Sequence, residues 1–461
     1  MKPDGYIPRA ERRAQGKALR KRCPRPSQGE WKTRSKSHDI IKLLEQTDAD
    51  RIPGLVPLKY QRMSISPFTF FRGSAIIQAR DLAKAEVTGI SVQVCGDCHL
   101  ANFGGFASPE RKLVFDINDF DETFPGPWEW DVKRLGASLI LAARDRGFSK
   151  SNGKEAVHAA AMAYRERMAE FAEMKALDTW YAQVTVEEIQ EHFRNDLDMS
   201  TRLSKRIKKS RSQTSEAVFP KLTAVIDGVQ KIKDDPPVLY HLQSFTPDFE
   251  KQRQAFVSRY KQTLNGDRRS LYERYHYQDS AVKVVGVGSV GTRCVVSLLL
   301  ADDDDPLFLQ FKEARRSVLE TPSGKSRYEN QGHRVVEGQR LMQAASDIFL
   351  GWGSTGGHDY YVRQFRDMKV SAEIETFKPS TLIAYATMCG WALARAHAKA
   401  GGAAEIAGYL GSSKQFDDAL EQYSRAYANQ VERDFKTFQV AIRSGRLSTE
   451  PAKDSALQFL L

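Results

Sequence analysis

A glycine loop that runs into a strand, where a helix would be the common sequel, restricts this chain more than any other stretch. Gly286, Gly288 and Gly291 form G-x-G-x-x-G in KVVGVGSVGTRCVVSLLL, with Ser289 between the second and third glycine. A dinucleotide-binding fold opens a helix directly after such a loop. Here TRCVVSLLL is β-branched and apolar and continues as a strand. The turn Asp302-Asp303-Asp304-Asp305-Pro306 then reverses the chain into LFLQFK, a third strand that carries Lys312.

A second stretch, Ile90 to Asp131, holds a concentration of acidic and amide groups. ISVQV alternates as a short strand and drops into Cys95-Gly96-Asp97-Cys98-His99-Leu100-Ala101-Asn102. After the turn-rich GGFASPER, the strand KLVFDI ends in Asn118-Asp119-Phe120-Asp121-Glu122. Two strands with a tight connection bring Asp97, Asn102 and Asp119 to one rim. Those groups suit a general base and two oxygen ligands for Mg²⁺, which takes few protein oxygens plus substrate phosphates. A phosphoryl-transfer site is the expectation. Alternation puts Asp116 and Asn118 on one face of the strand and Asp119 on the other, which leaves Asp116 and Asp119 as rival metal ligands.

The spacing resembles that of protein kinases, and more closely that of aminoglycoside phosphotransferases and choline kinases. Asp97 and Asn102 are five apart, like the base and the metal-binding amide of HRDxxxxN. Asp119-Phe120-Asp121 stands where DFG stands, with Asp121 in place of the glycine, and Cys95 replaces the usual first His of HGD. GDCHLANFGGF, FDINDFDE and GPWEWDVKRL together resemble a bacterial family catalogued as domain of unknown function 2252, over about Gly16 to about Phe435. The resemblance implies an α+β, protein-kinase-like fold of two lobes that binds ATP and Mg²⁺. On it, Asp97 would be the base and His99 would hold its loop. Asn102, Asp119 and Asp121 would face the metal. Gly286, Gly288, Ser289 and Gly291 would cover the phosphates, and Lys312 would clamp them. Glu337 would pair with Lys312, with Glu320 as the second candidate.

The order of these parts is rotated. The glycine loop lies about 190 residues after the catalytic loop, so the resemblance implies a circular permutation, which folds with neighbouring surface termini tolerate. YYVRQFRD reads as a strand ending at the hinge. LIAYATMCGWALARAHAKAG resembles the helix that precedes the catalytic loop in phosphotransferases, yet Gly401-Gly402 ends it and no such loop follows. The expected units are a basic, partly disordered tail (1–40), the catalytic-loop part of the large lobe (41–150), a mostly helical connection (151–280), a small nucleotide-binding lobe (281–370) and the helical remainder of the large lobe (371–461). Within them a helix is expected over about Ser66 to Glu86, with Arg72 near its start and placed to meet a phosphate or a carboxylate. Asp131 is expected to cap the helix VKRLGASLILAARDRG or to brace the catalytic loop.

Other chemistries fit less well. Cys95-x-x-Cys98-His99 matches a haem-attachment pattern that belongs to exported chains, and a single C-x-x-C has no second pair to complete a zinc site. The cysteines are expected to be packing residues. No apolar run is long enough to span a bilayer or to serve as a signal peptide, and five scattered cysteines fit reduced thiols. A cytoplasmic protein is the expectation. Residues 1–40 hold twelve Lys/Arg against four Asp/Glu, and so most of the net charge of +11. That tail lacks the interleaved aromatics that stack bases, so nucleic acid is not the expected partner; the tail is expected as a solvated arm or as one docked on the protein's own acidic surface. The expected partners are a nucleotide and an unknown phosphoryl acceptor, small molecule or protein. A regulatory pseudokinase or an AMP transferase would use the same parts.

Overall fold

The computed structural model describes residues 7–32, 34, 39–194, 197–211, 214–241, 247–365 and 368–450. Its architecture is α+β, with antiparallel sheets among many helices. The stretch from Ile90 to Asp131 forms four short strands: β1 (Ser91–Val94), β2 (Phe103–Ala107), β3 (Leu113–Ile117) and β4 (Phe124–Pro127). β2 and β3 are a hairpin with Phe103 opposite Ile117, while β1 and β4 pair with Val94 opposite Phe124. These registers place the 95–102 and 118–123 loops side by side, because each joins a β1/β4 end to a β2/β3 end. The rim expected from the sequence is therefore a consequence of strand pairing.

A small hairpin, β5 (Thr223–Ile226) and β6 (Val229–Ile232), precedes the main sheet. That sheet contains β7 (Leu239–Tyr240), β8 (His276–Lys283), β9 (Cys294–Leu300), β10 (Pro306–Ala314), β11 (Gly351–Thr355) and β12 (His358–Gln364), in the order β11-β12-β10-β9-β8-β7. It thus begins upstream of residue 281, and β13 (Val370–Ser371) leaves it to pair with β2. Both faces of the sheet are covered, so β9 and β10 read as nearly continuous apolar runs. Leu299, Leu307 and Leu309 pack with Phe256 and Tyr260 of the Pro247–Thr263 helix, whereas Val296, Leu298 and Phe308 pack with Ile232 and Phe219 on the other face.

The larger core belongs to the helices Trp128–Asp145, Lys150–Glu173, Pro379–Lys399 and Gln415–Arg443. Gly390 lets the second and third approach closely, since a Cβ there would collide with the Ala160 carbonyl and press on Ala163. None of the helices is long and apolar enough to cross a membrane, among the described residues. The Ser66–Glu86 helix is in fact two helices, Pro67–Gly73 and Ala75–Leu82, broken at Ser74 (φ −128°, ψ 40°). Arg72 consequently stands in a last turn, not near a start.

Where it is described, the basic segment docks on the protein, the second of its two expected states. Arg9–Ala18 is a helix, and Leu19 and Trp31 pack against the core. Arg20 donates to the carbonyls of Tyr409 (2.8 Å) and Gly408 (2.7 Å), and Arg25 to that of Leu410 (2.8 Å), at the C-terminal end of the Ala403–Leu410 helix. The negative end of a helix suits such cations. Arg34 bridges Asp81 (2.7 Å) and Asp434 (2.7 Å), all three nearly excluded from solvent. Residues 1–6 lie outside the described residues.

Candidate functional site

The loop after β1 is held rigidly from below. Asp131 is buried and accepts the N–H groups of Cys95 (2.7 Å) and Gly96 (3.0 Å), with His397 Nε2 at 3.3 Å. It does not cap its helix, which starts at Trp128; of the two expected roles, it has the bracing one. Tyr385 donates to the carbonyls of Leu100 (3.2 Å) and Phe103 (2.8 Å), so the Pro379–Lys399 helix underlies the loop although it follows it in sequence by nearly 300 residues. Asn102 Nδ2 donates to the Asp97 carbonyl at 2.7 Å, which keeps its side-chain oxygen as an acceptor. The Asp97 carboxylate contacts Arg134 Nε, and Arg134 is fixed in turn by Gln78 (2.9 Å) and the Phe71 carbonyl (3.0 Å).

The acidic loop after β3 divides its carboxylates among three tasks. Asp116 is wholly buried: it takes Arg395 through both oxygens (3.0 and 2.8 Å) and the N–H of Ala344 (2.7 Å). Asp119 faces the cleft, one-third exposed, with Lys312 Nζ at 3.7 Å. Asp121, expected at the metal, is instead occupied by an ion pair with Lys312 and by the hydroxyls of Tyr361 (2.7 Å) and Ser289 (3.3 Å).

The pair between Glu337 and Lys312 is not formed. Glu337 contacts Arg340 at 3.0 Å, and Glu320 accepts the N–H of Ser326 (3.4 Å). The phase of the Gln331–Met342 helix explains this. It lies directly on Thr123, where a Cβ on Gly338 would overlap that side chain, and Arg334 reaches the carbonyls of Asp121 (2.8 Å) and Thr123 (2.7 Å). Gln339, and Gln343 just beyond the helix, line the cleft while Glu337 points elsewhere. Asp121 supplies Lys312 with the carboxylate expected from the helix.

The glycine loop closes over this arrangement between β8 and β9. Gly286 (φ 65°) and Gly291 (φ 86°) adopt left-handed conformations that favour glycine. Arg62 holds the Gly286 carbonyl and Arg51 that of Val290, each at 2.6 Å. Beneath the loop are two cavities. One, of about 360 Å³, includes Lys312, Gln310, Gln339, Arg363, Gln364 and Phe365. The other, of about 340 Å³, includes Asp97, His99, Asn102, Gly288 and several arginines. Asp119, Gly286 and Ser289 line both, so the two meet there. The hinge expected at the end of YYVRQFRD falls partly on 366 and 367, outside the described residues.

Burial and neighbouring charge set the protonation of the site. Burial pushes the Asp97 carboxyl above the usual carboxylate range; Arg134 opposes this only in part, and Asp119 adds to it. Burial would lower Lys312, but Asp119 and Asp121 outweigh it and hold the ammonium well above its ordinary value. Asp121 moves down, because Lys312 overcomes the effect of its burial. His99 is driven well below its ordinary value by burial, then by Arg72 and Arg134, so it is a neutral imidazole. Its Nδ1 has no hydrogen-bond partner among the described residues, and its Nε2 is 3.8 Å from the Asp97 carboxylate, so the expected role of its side chain in holding the loop is not seen. Cys95 and Cys98 lie near Asp131, but burial raises both thiols, Cys98 to about 11, and Asp131 already serves two backbone N–H groups. Packing residues describe them. Arg134 and Tyr361 escaped the sequence reading, although Arg134 stands only three residues after Asp131.

The chain belongs to a family described as an uncharacterized protein conserved in bacteria (DUF2252), whose model matches residues 51–441. The match starts later than Gly16, so it leaves out the docked basic segment. No curated protein matches the chain, and no solved structure does.

Proposed function

We propose that this protein is an ATP- and Mg²⁺-dependent phosphotransferase of kinase-like, circularly permuted architecture. The observation that carries this reading is a convergence. Asp97, Asn102 and Asp119 stand on one rim, and Ser289 of the glycine loop and Lys312 of β10, about 170 residues or more downstream, stand against them. A permuted chain also accounts for a helix that supports the catalytic loop from a later position in the sequence.

The donor set fits a hard cation. Asp119 and the Asn102 oxygen remain available in the cleft, both oxygen ligands of the kind Mg²⁺ accepts, whereas Asp121 is committed to Lys312. The metal, when bound, would neutralise charge on the phosphates of the nucleotide. The chain's own residues divide the remaining work. Lys312 binds phosphate, and the backbone around Gly286 and Gly288 covers it. Gln310, Gln339 and Gln364 offer polar groups in the adjoining cavity. Asp97 accepts the proton of the attacking hydroxyl, a contribution of typically ~10²–10⁴ in rate, and its raised pKa makes it a better base.

Mg-ATP is expected to raise the melting temperature of the full chain by mass action, and Lys312→Ala to remove most of that shift. Incubation in cell extract with ATP labelled at the γ- or the α-phosphate then reads the reaction. Transfer of the γ label is the expected result. Transfer of the α label would assign AMP transfer, binding without transfer a regulatory pseudokinase, and the absence of any melting shift would remove the nucleotide reading altogether.

A further inference from the structure

The cavity on the Asp97 side contains a feature that nucleotide binding does not use. Arg72, at the end of the Pro67–Gly73 helix, Arg80, in the last turn of the Ala75–Leu82 helix, and Arg316, just after β10, all line it. Elsewhere in the same region the fold pairs its guanidinium groups: Arg51 with Asp48, Arg134 with Asp97, Arg315 with the Thr47 carbonyl. Arg72, Arg80 and Arg316 have no carboxylate within ion-pair distance and no hydrogen-bond acceptor among the described residues. The Nε groups of Arg72 and Arg80 are shielded from solvent without an acceptor, an arrangement that is costly unless a ligand completes it. Arg72 stops over the ring of Phe68, 5.8 Å away, and its charge is felt at Asp97.

Resting on the phosphotransfer reading above, we infer that the phosphoryl acceptor is a small hydroxyl compound that already carries a phosphate monoester, held by Arg72, Arg80 and Arg316 with its hydroxyl at Asp97. Planar guanidinium forks match phosphate oxygens, and three unpaired cations suit a dianion better than a single carboxylate. A cavity of about 340 Å³ has the size of a small-molecule site. In the step itself, the acceptor oxygen bonds to the γ-phosphorus as the bond from that phosphorus to its bridging oxygen breaks. The hydroxyl proton passes to Asp97, and the nucleoside diphosphate leaves with the electron pair. The product carries two phosphates.

Calorimetric titration of the full chain with glycerol 3-phosphate, inorganic phosphate and glycerol tests this, alongside the Mg-ATP melting shift. Both phosphates are expected to bind and glycerol is not. Arg72→Gln and, independently, the exposed Arg316→Gln should each weaken glycerol 3-phosphate binding by about tenfold or more while retaining the Mg-ATP shift. Lys312→Ala should do the reverse. The inference is overturned if the phosphates bind no better than glycerol, or if the arginine variants lose the Mg-ATP shift and keep phosphate binding. An intact Mg-ATP shift beside either result leaves the phosphotransfer reading standing. A wild type that binds phosphate through these arginines but ignores Mg-ATP sinks that reading instead.

Discussion

Asp116 and Asp119 lie three residues apart, and their asparagine variants are expected to fail in opposite ways. Asp116 is inaccessible to solvent and faces a guanidinium that is equally buried; Arg395 pairs with it through Nη2, which also meets the Met342 carbonyl, while its Nε and Nη1 have no hydrogen-bond partner among the described residues. The same carboxylate accepts the N–H of Ala344 at 2.7 Å, so it ties β3 to the segment after the Gln331–Met342 helix. Neutralising one member of such a buried pair leaves an uncompensated charge, a loss of about 3–5 kcal/mol. Against a total stability of about 5–15 kcal/mol, that is a large share. Asp119 is one-third exposed and 3.7 Å from Lys312, which retains Asp121. Solvent screening reduces its contribution to below about 1 kcal/mol. Urea unfolding followed by tryptophan fluorescence should therefore show a large drop in midpoint for Asp116→Asn and almost none for Asp119→Asn. Asp119→Asn should lose the metal-dependent part of nucleotide binding, measured as the difference in melting shift with and without Mg²⁺. Equal midpoints for the two variants would refute the assignment of Asp116 to the core. Intact Mg²⁺ dependence in Asp119→Asn would refute its place at the metal.

Asp97→Asn should lower γ-phosphoryl transfer by ~10²–10⁴ with Mg-ATP binding retained, as read by turnover and melting shift together. Because burial raises the Asp97 pKa in the folded chain, turnover should fall at a pH above the usual carboxylate range as the base becomes protonated. The linked stability has the opposite sense: Asp97 favours the fold below its unfolded pKa of about 3.9, and that contribution disappears as pH rises through the folded pKa, so the wild-type stability advantage over Asp97→Asn should shrink across this interval in pH-dependent unfolding. Glu337→Gln should leave Mg-ATP binding unchanged whereas Asp121→Asn weakens it, since Lys312 is oriented by Asp121; equal effects would mean the lysine changes partner on binding nucleotide. Arg34→Ala should lower the free energy of unfolding by about 3–5 kcal/mol, because it leaves Asp81 and Asp434 buried without their cation, and an unchanged urea midpoint would show the basic segment to be dispensable.

Much of the geometry of the candidate site was legible in the sequence because its signals are local. Strand alternation, the turn residues and the five-residue interval from Asp97 to Asn102 act within a few residues of one another, and chain geometry converts them directly into a rim. The strand–glycine loop–strand pattern was legible for the same reason, as β-branched residues after Gly291 exclude a helix. Tertiary structure decided the partners. Every residue of β3 is buried, so alternation separates Asp116 from Asp119 but cannot say which face meets a core arginine and which the cleft. The phase of the Gln331–Met342 helix depends on the contact of Gly338 with a loop over 200 residues earlier, which turns Glu337 away and leaves Lys312 to Asp121. The sequence leaves the basic segment either solvated or docked; the carbonyls at the end of a distant helix and two buried carboxylates decide for docking. Charge and periodicity are properties of a segment, whereas pairing depends on which distant groups the fold places within a few ångströms.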